Sequence, residues 1–383
     1  MTTLPLSKVG IDGFRGLRSL DLDGLGRINI LVGNNNSGKT SVLEALSILS
    51  QPFNPDEWLN IVRRRDFGQL DETRVQSLRW CFTQTSGLPD PDQLIEAACN
   101  LTCEGDFPLR SLNVRYTEFI GEPSPNEIRR GTNITSRIMR HHVDLPLPEE
   151  TMRGAELTHI PNWSQQTQLN IHPITLKVWE GIIPQRFTRA RIASRLDSET
   201  LTPYSYQINR NQVRSQSKLI FQQDSPSVLK LLQDFDSDIE GIDLASFRGD
   251  RPAIYIKHRK LGVAPLSVFG DAMRRAVLLA TTLLSLKDGG LLLIDEVEAG
   301  IHVGALVRVF EWLVTSARTL HIQVFVTTHS LEALDALVSA RPLLGEEDIV
   351  AFHLTQTAER TLGKRLYGDL LRRLRFERGL DVR

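Results

Sequence analysis

The stretch LVGNNNSGKT, from Leu31 to Thr40, leaves this chain few folds to choose from. Four residues separate Gly33 from Gly38, with Lys39 and Thr40 following, the spacing of a loop wrapped around phosphate oxygens. The preceding GRINILV is more continuously apolar than the stretches before it, as suits a buried strand. After the loop, Val42, Leu43, Leu46 and Leu49 recur at helical spacing until Gln51-Pro52 closes the run. In this context the glycines let the backbone N–H groups of Asn34, Asn35, Asn36, Ser37 and Gly38 turn inward. The helix starting near Thr40 and Ser41 then adds the partial positive charge of its N-terminus. Lys39 is placed to reach β- and γ-phosphates, and the Thr40 hydroxyl to meet Mg²⁺.

A second segment completes the first. In LLLIDE, four apolar residues bury a strand and deliver Asp295 to its C-terminal end, where open α/β sheets bind ligands. Asp295 suits Mg²⁺, and Glu296, one residue on, suits a general base that polarises water. The bland alternative, a buried strand running into a solvated acidic turn, loses ground beside a phosphate loop. The next apolar run, IQVFVTTHS, brings His329 to the same rim, where an imidazole can hydrogen-bond a γ-phosphate or its attacking water. Between these strands lies GALVRVFEWLVTSART, an amphipathic helix with Leu306, Phe310, Leu313 and Ala317 inward. Strand, helix, buried strand implies a parallel sheet with right-handed crossovers.

In this order the motifs resemble the ABC-type ATPases, especially the branch of SMC-like, RecF-like and OLD-family (overcoming lysogenisation defect) proteins. The resemblance covers residues 1 to about 50 and about 225 to 355. IDGFRGL is similar to that family's N-terminal strand, whose arginine, here Arg15, approaches the nucleotide. PLSVFGDAMRR is similar to its signature loop and helix, IDEVEAGIH to its Walker B and D-loop, and VFVTTHS to its switch histidine. The resemblance implies an α/β P-loop NTPase, an ABC-ATPase-like head with an inserted antiparallel β-containing lobe, using ATP and Mg²⁺. It implies slow hydrolysis carried by Lys39, Thr40, Asp295, Glu296 and His329. It also implies a homo-oligomer, at least a dimer that sandwiches ATP, with Ser267 and Gly270 of one copy covering the γ-phosphate held by the other. Without the surrounding motifs Ser267 reads as a turn or N-cap residue.

The chain departs from the common pattern in three places. LSVFGDAMRR lacks the LSxGQ of transporters and RecF-like proteins and looks closer to the OLD-type, AAA-like defence ATPases. The Q-loop glutamine has three candidates, Gln51, Gln69 and Gln84. Only 54 residues follow His329, too few for the Toprim nuclease of OLD proteins. The resemblance therefore implies a separate effector protein such as a nuclease, with nucleic acid as a further partner. A RecF-like repair ATPase and an oligomeric scaffold with vestigial hydrolysis are the alternatives. A transporter or metabolic kinase has less support, since no substrate signature beyond the nucleotide site is visible.

The rest of the chain frames these motifs. Residues 1–73 and 216–383 are expected to form the ATPase core, and 74–215 the lobe. There QSLRWCFTQ, LIEAACNLTC and LNVRYTEFI read as antiparallel strands and the Pro-containing stretch from Gly121 to Gln168 as loops. SPSVLKLLQDFDSDI reads as a helix. Net charge is −1, which argues against a wholly basic coat. Three cysteines, Cys81, Cys99 and Cys103, form no zinc set and read as reduced thiols. No apolar stretch reaches membrane-spanning length and no signal-peptide core is present, so the expectation is a cytoplasmic protein without membrane contact. In the tail, Arg365, Arg372 and Arg375 would line one face if helical. Nucleic-acid contact, partner docking and a solvated charged helix all fit that face. Arg63-Arg64-Arg65 reads as a solvated turn.

Overall fold

The computed structural model describes residues 4–54, 56–65, 74–84, 93–124, 127, 151–164, 173–180, 196–205, 225–245, 253–286, 288–340 and 348–382. The first half runs β1 (Lys8–Asp12), β2 (Leu20–Asp23), β3 (Ile28–Val32), α1 (Lys39–Ser50), α2 (Asp56–Arg65), α3 (Arg74–Arg79), β4 (Glu96–Glu104), β5 (Leu109–Gly121), β6 (Met152–Trp163), β7 (Ile174–Trp179) and β8 (Ser198–Leu201). The second half runs α4 (Ser225–Phe235), β9 (Ile239–Ala245), β10 (Ala253–His258), β11 (Gly262–Pro265), α5 (Asp271–Ser285), β12 (Gly290–Ile294), α6 (Val303–Thr319), β13 (Ile322–Thr327), α7 (Leu331–Ser339), β14 (Ile349–Gln356), β15 (Thr361–Tyr367) and α8 (Gly368–Arg372).

The central sheet has the order β15-β14-β3-β13-β12-β8. Its pairs are parallel except for the β14–β15 hairpin at one edge. Because side chains alternate across a pleat, this sheet separates two cores. Leu31, Leu291, Leu293, Phe325 and Phe352 point into one, with α1, α2 and the antiparallel strands. Ile28, Ile30, Val32, Leu292, Ile294, Val324 and Val326 point into the other, against α5, α6 and α7. Burial on both faces is why these strands read as largely apolar runs. Leu306, Phe310, Leu313 and Ala317 of α6 are all buried, as the helical spacing requires. The buried amide of Gln323 is fully satisfied. Its Oε1 accepts from the Leu6 N–H at 3.0 Å, and its Nε2 donates to the Leu6 and Gly26 carbonyls at 2.8 and 2.9 Å.

The second sheet has the order β2-β1-β4-β5-β6-β7 and is antiparallel throughout. Its inward residues include Cys99, Leu101, Leu112, Val114, Tyr116, Leu157 and Leu176. The three cysteines are buried thiols outside any disulfide, and burial pushes the Cys99 and Cys103 thiols up. A third, smaller sheet, β11-β10-β9, packs with α4 against α5. No helix of the described residues is long and apolar enough to cross a membrane.

Several expectations change in the structure. QSLRWCFTQ is not a strand: Arg74–Arg79 is helical. Val75, Leu78 and Phe82 are buried at three- and four-residue intervals, so the helical period prevails over the apparent alternation. Within Gly121–Gln168, Met152–Trp163 is a strand that pairs along β5, with Ala155, Leu157 and His159 inward among polar neighbours that hid the pattern. Strands β4 to β7 extend the sheet begun by β1 and β2 across the 73/74 boundary. Ser198–Leu201, placed in the lobe by sequence, pairs with β12 in the central sheet. Four residues with one buried leucine give too short a pattern to assign. The helix of SPSVLKLLQDFDSDI stops at Phe235, and Ile239 begins β9. In the tail, Arg365 lies on β15, its guanidinium 4.4 Å from the Tyr367 ring centroid, and Arg375 pairs with Asp335 at 2.7 Å. The single basic helical face does not form, because backbone pairing with β14 takes residues 361–367 into the sheet. Gln69 lies outside the described residues.

One buried titratable group makes the fold pH-sensitive. His159 on β6 is 1% exposed, its Nδ1 donates to the Pro52 carbonyl at 3.0 Å, and burial drops its pKa from 6.5 to about 4. Below pH 6.5 the unfolded chain binds a proton that the folded chain refuses until about pH 4. The stability contributed is present above 6.5 and lost as pH falls through that window, by about 3 kcal/mol. Urea unfolding of wild type and His159→Gln at pH 7 and pH 4 is expected to show wild type losing more, by about that amount. A difference between the two proteins that stays constant with pH refutes the assignment.

Candidate functional site

The loop after β3 folds as its glycines dictate. Gly33 has φ +144°, and a Cβ there would lie 2.5 Å from the Leu354 carbonyl oxygen. Gly38 has φ +93° and abuts the Leu17 side chain, so no larger residue fits either position. Asn36 between them is also left-handed, with φ 62°. The Lys39 ammonium is drawn into the loop and donates to the Gly33 and Asn34 carbonyls at 2.7 and 2.9 Å. The buried Ser37 hydroxyl has no partner among the described residues. A loop that orphans a buried donor and concentrates N–H groups at a helix start fits a phosphate chain.

Asp295 emerges at the C-terminal end of β12, facing α1. The Thr40 hydroxyl lies 3.0 and 3.1 Å from its two carboxylate oxygens. Thr327, at the end of β13, donates to Asp295 Oδ1 at 2.7 Å and accepts the Glu296 N–H at 2.8 Å. Burial raises the Asp295 pKa, opposed by the Thr327 and Thr40 hydrogen bonds. Burial also raises that of Glu296, helped by Asp295 and Glu298 and opposed by His329 and Arg275. Lys39 is lowered by burial, while Asp295, Glu296 and Glu298 pull the other way. A desolvated carboxylate with a hydroxyl beside it is a donor pair that fits Mg²⁺. Glu296 takes φ 48°, a left-handed conformation that costs a non-glycine residue roughly 1–2 kcal/mol. Its N–H bond to Thr327 holds it there.

Of these residues, Lys39 and Thr40 border a cavity of about 930 Å³. It is lined by Asn35 to Ser41, by Arg15, Gly16 and Arg18 of the turn after β1, and by Arg65, Trp80, Phe82, Thr83 and Gln84. His329, Gln356, Thr357 and Ala358 complete the wall. His329 is exposed, and its backbone N–H donates to Glu298 Oε1 at 3.0 Å. Arg15 lies in a turn after β1, with φ 51°, and its Nε pairs with Glu44 at 2.6 Å. Of the Q-loop candidates, Gln84 lines the cavity, whereas Gln51 donates to Ser198 Oγ at 3.1 Å. Ser267 and Gly270 are exposed and do not line it; a Cβ built on Gly270 meets open space.

Sequence reasoning missed several residues of this site. Arg65 is not in a solvated turn: it ends α2, and its Nε and Nη2 contact Glu44 at 2.8 and 3.0 Å. Burial opposes its charge, but Glu44 more than compensates and holds its pKa up. The apolar Trp58, Leu59, Ile61 and Val62 upstream were the signal that those arginines close a helix. Thr327 stood in the quoted TTHS, where a hydroxyl ending a buried strand beside an aspartate was readable. Gln356 and Thr357 arrive from a distant hairpin and carried no signal.

Phosphate loop, metal-ready aspartate and central parallel sheet together define a P-loop ATPase core of ABC/SMC-like arrangement. Residues 142–335 match the family described as "AAA domain, putative AbiEii toxin, Type IV TA system", and the chain belongs to that family. Residues 5–138 match "AAA ATPase domain". Over 387 residues the chain is 23% identical to the "ATP/GTP phosphatase" of Helicobacter pylori, covering 96% of each. It is 52% identical over 46 residues, 12% of this chain and 13% of the relative, to "DNA replication and repair protein RecF" of Actinobacillus pleuropneumoniae. A solved Smc head domain with an extended coiled coil, bound to the C-terminal domain of ScpA from Pyrococcus furiosus, aligns over 99% of this chain and 100% of its own at 10% identity and TM-score 0.49. The chain is an ATPase.

Replacing Thr327 by the near-isosteric valine removes both contacts that seat Asp295 and Glu296. Thr327→Val is expected to lower kcat for ATP hydrolysis roughly 10- to 100-fold, with the circular dichroism of the wild-type fold. An unchanged kcat would assign Thr327 to packing alone.

Proposed function

We propose that the chain is an ATP-hydrolysing switch that pairs with a second copy around Mg-ATP. In this proposal it is the sensor or scaffold ATPase, of OLD-like type, in an anti-phage defence system whose effector, such as a nuclease, is a separate protein. The division of the site carries the pairing. Lys39 and Thr40 line the cavity, while Ser267 and Gly270, at the head of the fifteen-residue α5, face open surroundings away from it. A second copy, turned head to tail, brings that helix N-terminus to the γ-phosphate. The exposed Leu261, Val263 and Val268 beside it supply apolar contact area.

Within the site, Lys39 and the N–H groups of residues 34–38 hold the phosphates. Thr40 and Asp295 hold Mg²⁺, which supplies charge neutralisation to the phosphate oxygens when bound. Glu296 accepts a proton from the water whose oxygen bonds to the γ-phosphorus as the bond to the β–γ bridging oxygen breaks, giving ADP and phosphate. Its raised pKa, caused by burial first, strengthens it as a base. His329 donates to the charge that develops on the γ-phosphate, and Arg15, paired to Glu44, frames the same cavity. An intact Glu296 in this setting argues against vestigial hydrolysis. The family description, which includes a toxin of a type IV toxin–antitoxin system, supports the two-component reading.

A RecF-like reading, with ATP-dependent binding to DNA, is favoured by the local match to RecF. The exposed Arg372, Arg373 and Arg378, which make no ion pair among the described residues, point the same way. Such binding would appear as ATP-dependent retention on junction DNA that weakens steeply with salt.

Glu296→Gln keeps the shape of the side chain and removes its basicity. It is expected to lower kcat by roughly 10²- to 10⁴-fold and to retain ATP. Light scattering in Mg-ATP should then show the variant as a dimer or larger assembly, and a smaller species without nucleotide. A mass that never changes with ATP in either protein overturns the pairing, and an unchanged kcat overturns the role of Glu296.

A further inference from the structure

Beyond the phosphate loop, the cavity wall carries an exposed indole. Trp80 leaves 43% of its surface open, borders the same cavity as Lys39, and stacks on no ring among the described residues. Other tryptophans of the chain are packed: Trp58 stacks on Phe82 at 5.1 Å, Trp163 on Phe53 at 5.4 Å, and Trp179 meets Phe119 edge-on at 4.9 Å. A bare indole is costly to leave in water and well suited to a flat partner.

The backbone on either side of Trp80 is fixed. Arg79 is buried, its Nε and Nη2 on Glu118 at 2.9 and 2.8 Å. The Cys81 carbonyl accepts from the Arg15 N–H at 2.9 Å, and the Thr83 N–H donates to Gly13 at 3.0 Å. Arg18 clamps the wall across the chain, donating to the Ala358 and Gln84 carbonyls at 2.8 and 3.4 Å. The ring is thus presented from a preorganised strap rather than a loose turn.

Two amides beside it are chemically one-sided. The Gln84 Nε2 is committed to the Arg79 and Phe82 carbonyls, both at 2.9 Å. The Gln356 Nε2 is committed to the Gly16 carbonyl at 2.9 Å. These bonds fix which end of each amide is nitrogen and leave the Oε1 atoms as acceptors.

We propose that this wall is a base-recognition subsite: a purine ring stacks on Trp80, and its exocyclic amine donates to the Oε1 of Gln84 or Gln356. The subsite rests on the reading of the cavity as an ATP site and adds the preference for a purine. Adenine and guanine both offer an exocyclic amine and a two-ring face. Uracil offers a smaller ring and no exocyclic amine.

The test is calorimetric binding of ATP, GTP, UTP and inorganic tripolyphosphate, each with Mg²⁺, to the full chain and to Trp80→Ala and Trp80→Phe. Wild type should bind ATP and GTP more tightly than UTP or tripolyphosphate. Trp80→Ala should weaken ATP roughly 5- to 150-fold and leave tripolyphosphate unchanged, and Trp80→Phe should recover most of the loss. An unchanged ATP affinity in Trp80→Ala, or an equal loss for ATP and tripolyphosphate, overturns the subsite while the phosphate site stands. Wild type binding none of the four overturns the ATP-site reading and the subsite with it.

Discussion

A buried carboxylate at the end of a buried strand sets the terms for the whole site. Asp295 sits between two threonine hydroxyls, Thr40 from α1 and Thr327 from β13. Taking an anion out of water is expensive unless hydrogen bonds and a cation compensate. Two hydroxyls supply part of that compensation, and the direction of the Asp295 shift shows that they do not supply all of it. A divalent ion held there would supply the remainder, so the electrostatic deficit at Asp295 would favour a bound cation. The same logic applies to Lys39, whose ammonium rests on loop carbonyls where phosphate oxygens would serve it better.

That arrangement needs backbone conformations a free chain avoids. Arg15, Asn36 and Glu296 all have positive φ; Arg15 and Asn36 line the cavity, and Glu296 follows the aspartate that meets Thr40. Two of them are held by contacts from other elements: Arg15 by Cys81 and Glu44, Glu296 by Thr327. Strain of this kind persists where the surroundings over-determine it. The surroundings here are the two cores on either face of the central sheet, closely packed and slow to deform.

Much of this was legible in the sequence because it depends on short-range patterns. The phosphate loop, the apolar runs ending in Asp295 and His329, and the spacing of α6 all encode their environment locally. What was illegible depends on pairing between distant segments. Ser198–Leu201 has no pattern of its own and is a strand because β12 offers it an edge. Arg365 sits in a sheet because β14 pairs with it, although a run of arginines and leucines suggests a helix. Arg65 looked solvated because the carboxylate that pairs with it, Glu44, lies on a different helix.

The short strand β8 shows why such pairings matter to the site. The Asp295 N–H donates to the Leu201 carbonyl at 2.8 Å, and the next carbonyl, of Thr202, accepts from Arg275 at 2.6 Å. Arg275 is buried in the second turn of α5, the helix whose N-terminus carries Ser267 and Gly270. Two adjacent carbonyls therefore join the metal-ready aspartate to the helix that faces outward. The residues between the two halves of the ATPase core thus do more than connect them: they supply the strand end to which both the backbone of Asp295 and the guanidinium of Arg275 on α5 are bonded.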